Sequence, residues 1–205
     1  MLDEKPLWVP SAERIAAAQI WDFMAQANRR HGTHLTNYRE LHTWSTAYPE
    51  LFWSLTWDYC GVIGDKGKRL VADRDKMPGA RFLPDATLNF AENLLRCYDA
   101  SDALVFRGED KVHGRLTWAE LNALVSRLQQ AMQAAGIGVG DRVAAMLPNC
   151  PEAIALMLAT ASIGAIWSSC SPDLGSAAYL TGLVRSSRSC SSRPMVITTT
   201  VRKSF

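Results

Sequence analysis

Long hydrophobic runs are missing from this chain. No stretch reaches the roughly eighteen consecutive apolar residues that a membrane-spanning helix needs, so the sequence predicts no such span. The opening residues, MLDEKPLW, carry acids and no apolar run of the signal-peptide kind. Cysteine is sparse and unpaired in pattern. Cys60, Cys97, Cys150, Cys170 and Cys190 are odd in number and form no C-x-x-C, which argues against a disulfide scaffold or a zinc ribbon. No G-x-S-x-G elbow and no Walker loop occurs. Gly136-Ile137-Gly138-Val139-Gly140 imitates a phosphate loop, but it follows a helical pattern and precedes a strand pattern, the reverse of what a dinucleotide loop requires. His31 and His34 have a spacing that metals can use, yet no cysteine or carboxylate cluster joins them, and a solvated loop is the expectation there. Lys66, Lys68 and Arg69 read as a solvated charged loop. These absences point to a cytoplasmic, reduced protein without an obvious metal site.

The 205 residues are 48% hydrophobic, enough for a sizeable core, and the net charge of +2 gives no overall pull toward nucleic acid or membrane. The charge is unevenly placed. Asp173 is the last acidic residue, and Arg185, Arg188, Arg193, Arg202 and Lys203 all follow it. The clearest structural unit lies just before that point. Arg142–Leu147 reads as a buried strand that Pro148 stops, because proline has no N–H for a ladder. Asn149 is positioned to cap a helix with Glu152 three residues on, and Pro151 falls in its first turn. Ala153 to Ala159 is apolar nearly all round, so the helix is covered on more than one side. Gly164 ends it and Ala165–Ser169 reads as a second strand. Strand, helix and strand in about thirty residues form a βαβ unit, hence a parallel sheet. Ligands of open α/β sheets sit beyond the carboxyl ends of the strands, which here means Ser168 to Asp173. Three serines crowd this end, but no histidine is near in sequence and no nucleophile is assigned.

Residues 1–100 look helical. Ser11 is placed to cap a helix through about Ala27, with Ile15, Ala18, Ile20 and Phe23 in a rough stripe. Asn37 and Glu40 start another helix, and Pro49 opens PELFWSLTWDYC. Trp8, Trp21, Trp44, Trp53 and Trp57 all fall in this half, and the expectation is that they form the core of a helical layer. Residues 61–88 are glycine- and proline-rich and loop-like. Asn89 begins a helix with Phe90, Leu94, Leu95 and Tyr98 on its apolar side. Ala103–Arg107 and Arg115–Thr117 read as a hairpin. Thr117 and Glu120 make a capping box for a helix through Ala135, with Leu121, Leu124, Val125, Leu128 and Met132 on one face and Gly136 as its stop.

GAIWSSCSPDLG resembles the WSS-x-SPDFG run of acetoacetyl-CoA synthetases, within the adenylate-forming acyl-CoA synthetases. PLWVPSAERI, ELHTWSTAYPELFWSLTWDYCGVIG, MPGARFLPDATLNFAENLL and ALVFRGED resemble further segments of that family in the expected order, to about residue 183. Phe82-Leu83 stands where the family has Trp-Phe, and Leu174 where it has phenylalanine. The resemblance implies an α/β fold: a helical N-terminal region (1–100), then the first part of a parallel-sheet adenylating, AMP-binding domain (101–180), incomplete. It implies ligation of acetoacetate to CoA through an acyl-adenylate, with ATP, magnesium and CoA as family substrates and cofactors. The phosphate loop, the acidic residue for magnesium and ribose, and the mobile lysine lie in family regions with no counterpart in this sequence, so this chain alone is expected to be inactive. By the same resemblance Ser171, Pro172 and Asp173 belong to the segment lining the pantetheine channel of CoA. Catalytic and metal residues are expected to be absent.

The tail (181–205) departs from the family. After Leu180 the family pattern resembles DRFGQIEPKVLF, whereas this chain has TGLVRSSRSCSSRPMVITTT. Codons for Thr181 to Ser189 read one base earlier can encode DRFGQIEPK, so the expectation is a frameshift near residue 180 with a stop after Phe205; a native Ser/Arg-rich tail is the alternative. The sheet would then end near Ala165–Ser169 with an open apolar edge, and Met195–Val201 would be a weak, unpaired strand. Two other functional classes compete with the ligase: a non-catalytic module that binds a CoA ligase partner, and, ranked last, an RNA binder using the basic tail, which lacks aromatic residues for stacking apart from Phe205. Arg185 to Arg193 offers no apolar residue but Cys190, too little burial to offset an ordering cost of roughly 1–2 kcal/mol per residue. Limited proteolysis is therefore expected to cut first between Arg185 and Arg193 and to leave a core ending near residue 184. Protection of that stretch, or genomic sequence with no DRFGQIEPK frame beneath it, contradicts the frameshift.

Overall fold

The structure is a computed structural model; it describes residues 8–108 and 112–172 and the backbone of 194–198. The chain divides into two compact units, Met1–Thr87 and Leu88–Phe205.

The first unit is helical. Helix α1 (Ala12–Ala16) is capped by Ser11, whose Oγ accepts from the Arg14 N–H at 3.2 Å. The helix expected to run on to Ala27 instead breaks at Ala17 and Ala18. Ala18 is extended, and α2 (Gln19–His31) starts afresh. The indole of Trp21 donates to the Ile15 carbonyl across the break at 2.6 Å. The break takes Ile15 off the apolar stripe: α1 buries nothing, while α2 buries Met24 and Ala27. Arg29, Arg30 and His31 occupy the last turn, where cations complement the helix dipole, and Gly32 ends it in the left-handed conformation at φ 64°. His31 is therefore a helix residue, half-buried with its ring 5.5 Å from Trp44, and not part of a solvated loop; His34 is exposed.

Helix α3 (Tyr38–Ala47) is capped by Asn37, which accepts from the Glu40 N–H at 3.0 Å. Glu40 reaches back one residue further than a capping box, accepting from both the N–H and the hydroxyl of Thr36. Those bonds hold its carboxyl below the ordinary value. Helix α4 (Pro49–Tyr59) has proline in its first turn, as the sequence predicts. Met24, Ala27, Leu41, Trp44 and Leu55 form the core of the three-helix layer, with Phe23 edge-on to both Phe52 and Tyr59. Only Trp44 of the five N-terminal tryptophans is buried; Trp8, Trp21 and Trp53 are exposed. The layer is too thin to cover so many large rings on both sides.

The expected loop at 61–88 contains short ladders. β1 (Gly64–Asp65) pairs with β4 (Thr87–Leu88), and β2 (Val71–Ala72) pairs antiparallel with β3 (Arg81–Phe82). Lys68 is exposed, as expected, while Lys66 and Arg69 are engaged in ion pairs. The Lys66 ammonium donates to Asp58 at 2.5 Å and to the Ser54 hydroxyl and carbonyl, and Arg69 makes a bidentate pair with Asp85. Gly67, at φ 73°, lies so close to Asp85 that an added Cβ would sit 2.5 Å from the Asp85 Cβ, which excludes any side chain.

The second unit builds the sheet. Helix α5 (Phe90–Leu94) starts at Asn89 as expected but is short, and its faces differ from the expectation. Ala91 and Leu95 are buried, whereas Phe90, Leu94 and Tyr98 are exposed. The strands β5 (Asp102–Arg107) and β6 (His113–Thr117) form an antiparallel hairpin. Helix α6 (Trp118–Ala134) opens on a complete capping box: Thr117 Oγ1 accepts from the Glu120 N–H and Glu120 accepts from the Thr117 N–H. Leu121, Val125 and Met132 are its buried face, and Gly136 turns the chain at φ 80°.

Next come β7 (Arg142–Met146), α7 (Pro151–Ser162) and β8 (Ile166–Cys170). The cap of α7 is Cys150, not Asn149, and makes no side-chain bond. Pro151 decides this. The residue before a proline is driven to extended geometry, and proline itself fits the first helical position. β7 and β8 are parallel, with Arg142 opposite Ile166 and Met146 opposite Cys170. A further strand, β9 (Pro194–Thr198), pairs parallel with the other edge of β7, giving the order β8-β7-β9. This corrects the expected unpaired strand at Met195–Val201. The stretch from Arg185 to Arg193 lies outside the described residues. The units divide before α5, which packs on α7, whereas the sequence groups α5 with the N-terminal region.

In the first unit Asp58 accepts from Lys66 and from Arg30, and these bonds, Lys66 first, hold its carboxyl below the ordinary carboxylate value. A lowered folded-state value contributes stability that is present above the unfolded value and is lost as pH falls through the folded one. Asp58→Asn should therefore lower stability by about 1 kcal/mol at pH 7 and by less at an acidic pH below the ordinary aspartate value. Urea melts at both pH values check this; an equal loss at both contradicts the assignment.

Candidate functional site

The sheet directs attention to the carboxyl ends of β7 and β8. Ala144, Val143 and Ala145 in β7 are buried, so the strand is fixed from both faces. β8 inherits that position through the last rung, in which the Leu147 N–H donates to the Cys170 carbonyl at 3.2 Å. At the opposite end the Gly140 N–H donates to the Gly164 carbonyl at 3.0 Å and ties the two entry turns. The register delivers Cys170, half-buried, and then Ser171 and Pro172, both exposed, beyond the strand end. Asp173 lies outside the described residues. Ser168 and Ser169 sit within β8.

Asn89 holds α7 from its far end. Its amide donates to the carbonyls of Ala161 and Ser162, at 3.3 and 3.0 Å, while its oxygen accepts from the Glu92 N–H at 3.2 Å. One side chain thus serves the start of α5 and the end of α7, the helix that leads into β8. The capping half of this role is legible in the N-x-x-E spacing. The half facing α7 depends on a partner 72 and 73 residues away and has no local signal.

A cavity of about 620 Å³ opens beside the end of β7. Its walls are apolar: Phe106, Val112, Leu116, Leu124, Leu147 and Pro148, with Arg115 and Glu152 at its margin. A smaller one of about 280 Å³ shares Phe106, Cys150 and Pro151 and adds Arg107 and Asn149. Sequence reading missed this cavity because the hairpin and the α7 entry that line it are far apart in the chain. Cys150 borders both spaces, but burial raises its thiol pKa, so it is protonated at neutral pH and is not a ready nucleophile. Among the described residues no group of three or more His, Cys, Asp or Glu side chains is placed to hold a metal ion. No helix among them is long and apolar enough to cross a membrane. What the geometry provides is a strand end and an adjoining apolar cavity.

A parallel βαβ with its strand end exposed, preceded by a hairpin and a capped helix, is the frame of an α/β domain. Residues 93–190 match the family model for AMP-binding enzymes. More particularly, the chain is similar to acetoacetyl-CoA synthetases. It is 57% identical over 175 residues to the acetoacetyl-coenzyme A synthetase of Rhizobium meliloti (strain 1021), covering 85% of this chain and 27% of that protein. It is 37% identical over 180 residues to a malonamoyl-CoA synthetase of Penicillium aethiopicum, covering 84% of this chain and 25% of that protein. The solved acetoacetyl-CoA synthetase of Streptomyces lividans superposes with a TM-score of 0.82 at 37% identity, over 95% of this chain and 30% of that one. The fold is that of an acyl-CoA synthetase N-terminal domain, as the sequence predicts, and the chain spans about a quarter of the length of the curated relatives it matches.

The Asn89 clasp yields a test. Asn89→Ala should cost about 2 kcal/mol, from the lost cap and the two unpaired carbonyls of α7. Asn89→Asp keeps the cap acceptor but sets a carboxylate against the carbonyl end of α7, so it should not rescue stability. Denaturant melts of the whole chain decide it; wild-type stability in the Asp variant contradicts the clasp.

Proposed function

We propose that this chain forms part of an ATP-dependent ligase that joins acetoacetate to CoA through an acyl-adenylate. The observation that carries the reading is the 57% identity to the Rhizobium meliloti acetoacetyl-coenzyme A synthetase across 85% of this chain. In that reading residues 1–100 are the N-terminal helical region, 101–180 begin the AMP-binding domain, and the remainder is an aberrant tail. Ser171, Pro172 and Asp173 line the pantetheine path of CoA. Support for this comes from the exposed position of Ser171 and Pro172 beyond the β8 strand end, where α/β sheets take their ligands. ATP, CoA and acetoacetate are the small-molecule partners, the cytoplasm is the compartment, and nucleic acid has no part.

Acid choice is the finer part of the proposal. A relative at 37% identity is named for malonamoyl-CoA, so the acid pocket is not specified by what these relatives share with this chain. The chain on its own supplies a scaffold. Among its described residues the Cys150 thiol, raised by burial, stays protonated at neutral pH.

A chimera tests the reading. Residues 8–172 of this chain should replace the matching stretch of the Rhizobium meliloti enzyme with acetoacetate-dependent ATP–pyrophosphate exchange kept within about tenfold, a loss of no more than about 1.4 kcal/mol of transition-state stabilisation. The 205-residue chain alone should show no exchange above a no-protein control. A folded chimera without exchange, or exchange by the lone chain, contradicts the proposal.

A further inference from the structure

The segment Lys66–Ala86 is held to the first unit almost wholly by polar fasteners. No residue from 61 to 88 is buried, so the segment adds nothing to the core of Met24, Ala27, Leu41, Trp44 and Leu55. Its own backbone pairing is short: the two-residue ladder of β2 with β3, and the bond from the Leu83 N–H to the Leu70 carbonyl at 2.9 Å. What ties it down lies along α4. Glu50, Trp53, Ser54 and Asp58 recur at the three- and four-residue spacing of one helix face. Leu51, Phe52 and Leu55 turn the other way, into the helical core.

Each outer position of α4 meets the segment. Arg74 pairs with Glu50 at 3.5 Å and also donates to the Ala47 carbonyl at 2.5 Å. The Phe82 ring lies 5.9 Å from Trp53. Lys66 donates to Ser54 and to Asp58. Within the segment Arg69 pairs with Asp85, and Asp73 pairs with both Lys76 and Arg81. Lys66 holds the carboxyl of Asp58 below the ordinary aspartate value, Lys76 that of Asp73 and Arg69 that of Asp85. The backbone opposes this arrangement at Asp73 and Leu83. Their φ angles of 55° and 47° lie in the left-handed region that side chains rarely adopt, a strain that opening relieves.

We infer that Lys66–Ala86 is a strap that opens as one unit from the outer face of α4 while the helical core stays folded, and that salt loosens it. Buried apolar contacts would couple the segment to global unfolding, because they cannot part without breaking the core. Surface ion pairs impose no such coupling, and dissolved ions screen them. Opening frees Trp53 from Phe82 and releases the Lys66 ammonium from Ser54 and Asp58. The fasteners act together because they sit along a single stretch of chain, so the loss of one lowers the hold on all.

Amide hydrogen exchange of the 205-residue chain, read residue by residue, tests this. The Ala80 amide donates to the Lys76 carbonyl and the Leu83 amide to the Leu70 carbonyl. Both should exchange through one local opening, faster than the amides of Trp44 and Leu55 in the helices. Asp85→Asn removes the charge paired with Arg69. It should speed Ala80 and Leu83 alike by about threefold and leave Trp44 and Leu55 unchanged. In the wild-type chain about 1 M sodium chloride, where the Debye length is about 3 Å, should also speed both without moving the helical amides. Exchange of Ala80 and Leu83 only together with the helical core, a change at Leu83 that does not reach Ala80, equal acceleration at Trp44 and Leu55, or rates indifferent to salt or to the substitution overturns the inference.

Discussion

The second unit depends on the burial of one short strand. β7 has parallel neighbours on both sides and side chains with almost no solvent contact at Val143, Ala144 and Ala145. A parallel strand pays for burial only if every backbone group is paired and both faces are covered. The small residue at 145 lets α7 come close, where Ala155, Leu158 and Ala159 are also fully buried. Thr160, the one buried polar side chain among the described residues, is satisfied, donating to the Leu156 carbonyl at 2.7 Å. Position follows from this packing. The strand end that presents Ser171 is where it is because β7 cannot move.

Local chemistry made much of this legible. The Thr117–Glu120 box, the Asn37 and Asn89 caps and the Gly136 stop each operate within four residues, so a sequence window contains all the atoms involved. The hairpin and the βαβ unit followed from alternation and from helical apolar spacing. What failed was nonlocal or depended on competition between signals. Asn149 has the better capping side chain, but Pro151 fixes the boundary at Cys150. Of the expected stripe Phe90, Leu94, Leu95 and Tyr98, Leu95 is buried, yet Ala91 joins it in place of the other three because α7 approaches there. The pairing of β9 with β7 spans some fifty residues and has no local mark beyond the β-branched Val196 and Ile197.

The candidate site divides in the same way. Its address, the carboxyl end of the second strand, was readable because strand polarity is set by the βαβ connection. The cavity beside it was not, since Phe106 and Leu116 on the hairpin meet Leu147 and Pro151 only in the folded chain. The first unit shows the complementary case. Its basic loop is solvated at Lys68 and Arg69, as composition implies, but the ion pairs that Asp58 and Asp85 make with Lys66 and Arg69 are created only by the fold. The relation to acetoacetyl-CoA synthetases fits both units, since the superposed relative covers 95% of the chain.

Hydrogen exchange of the free chain tests the central role of β7 most directly. With β8 on one side and β9 on the other, every amide from Arg142 to Met146 should be held in a ladder and exchange only through global opening. An alternating pattern, slow at Val143 and Ala145 but fast at Arg142, Ala144 and Met146, would contradict the account, because it would mean that β7 has a neighbour on the β8 side alone.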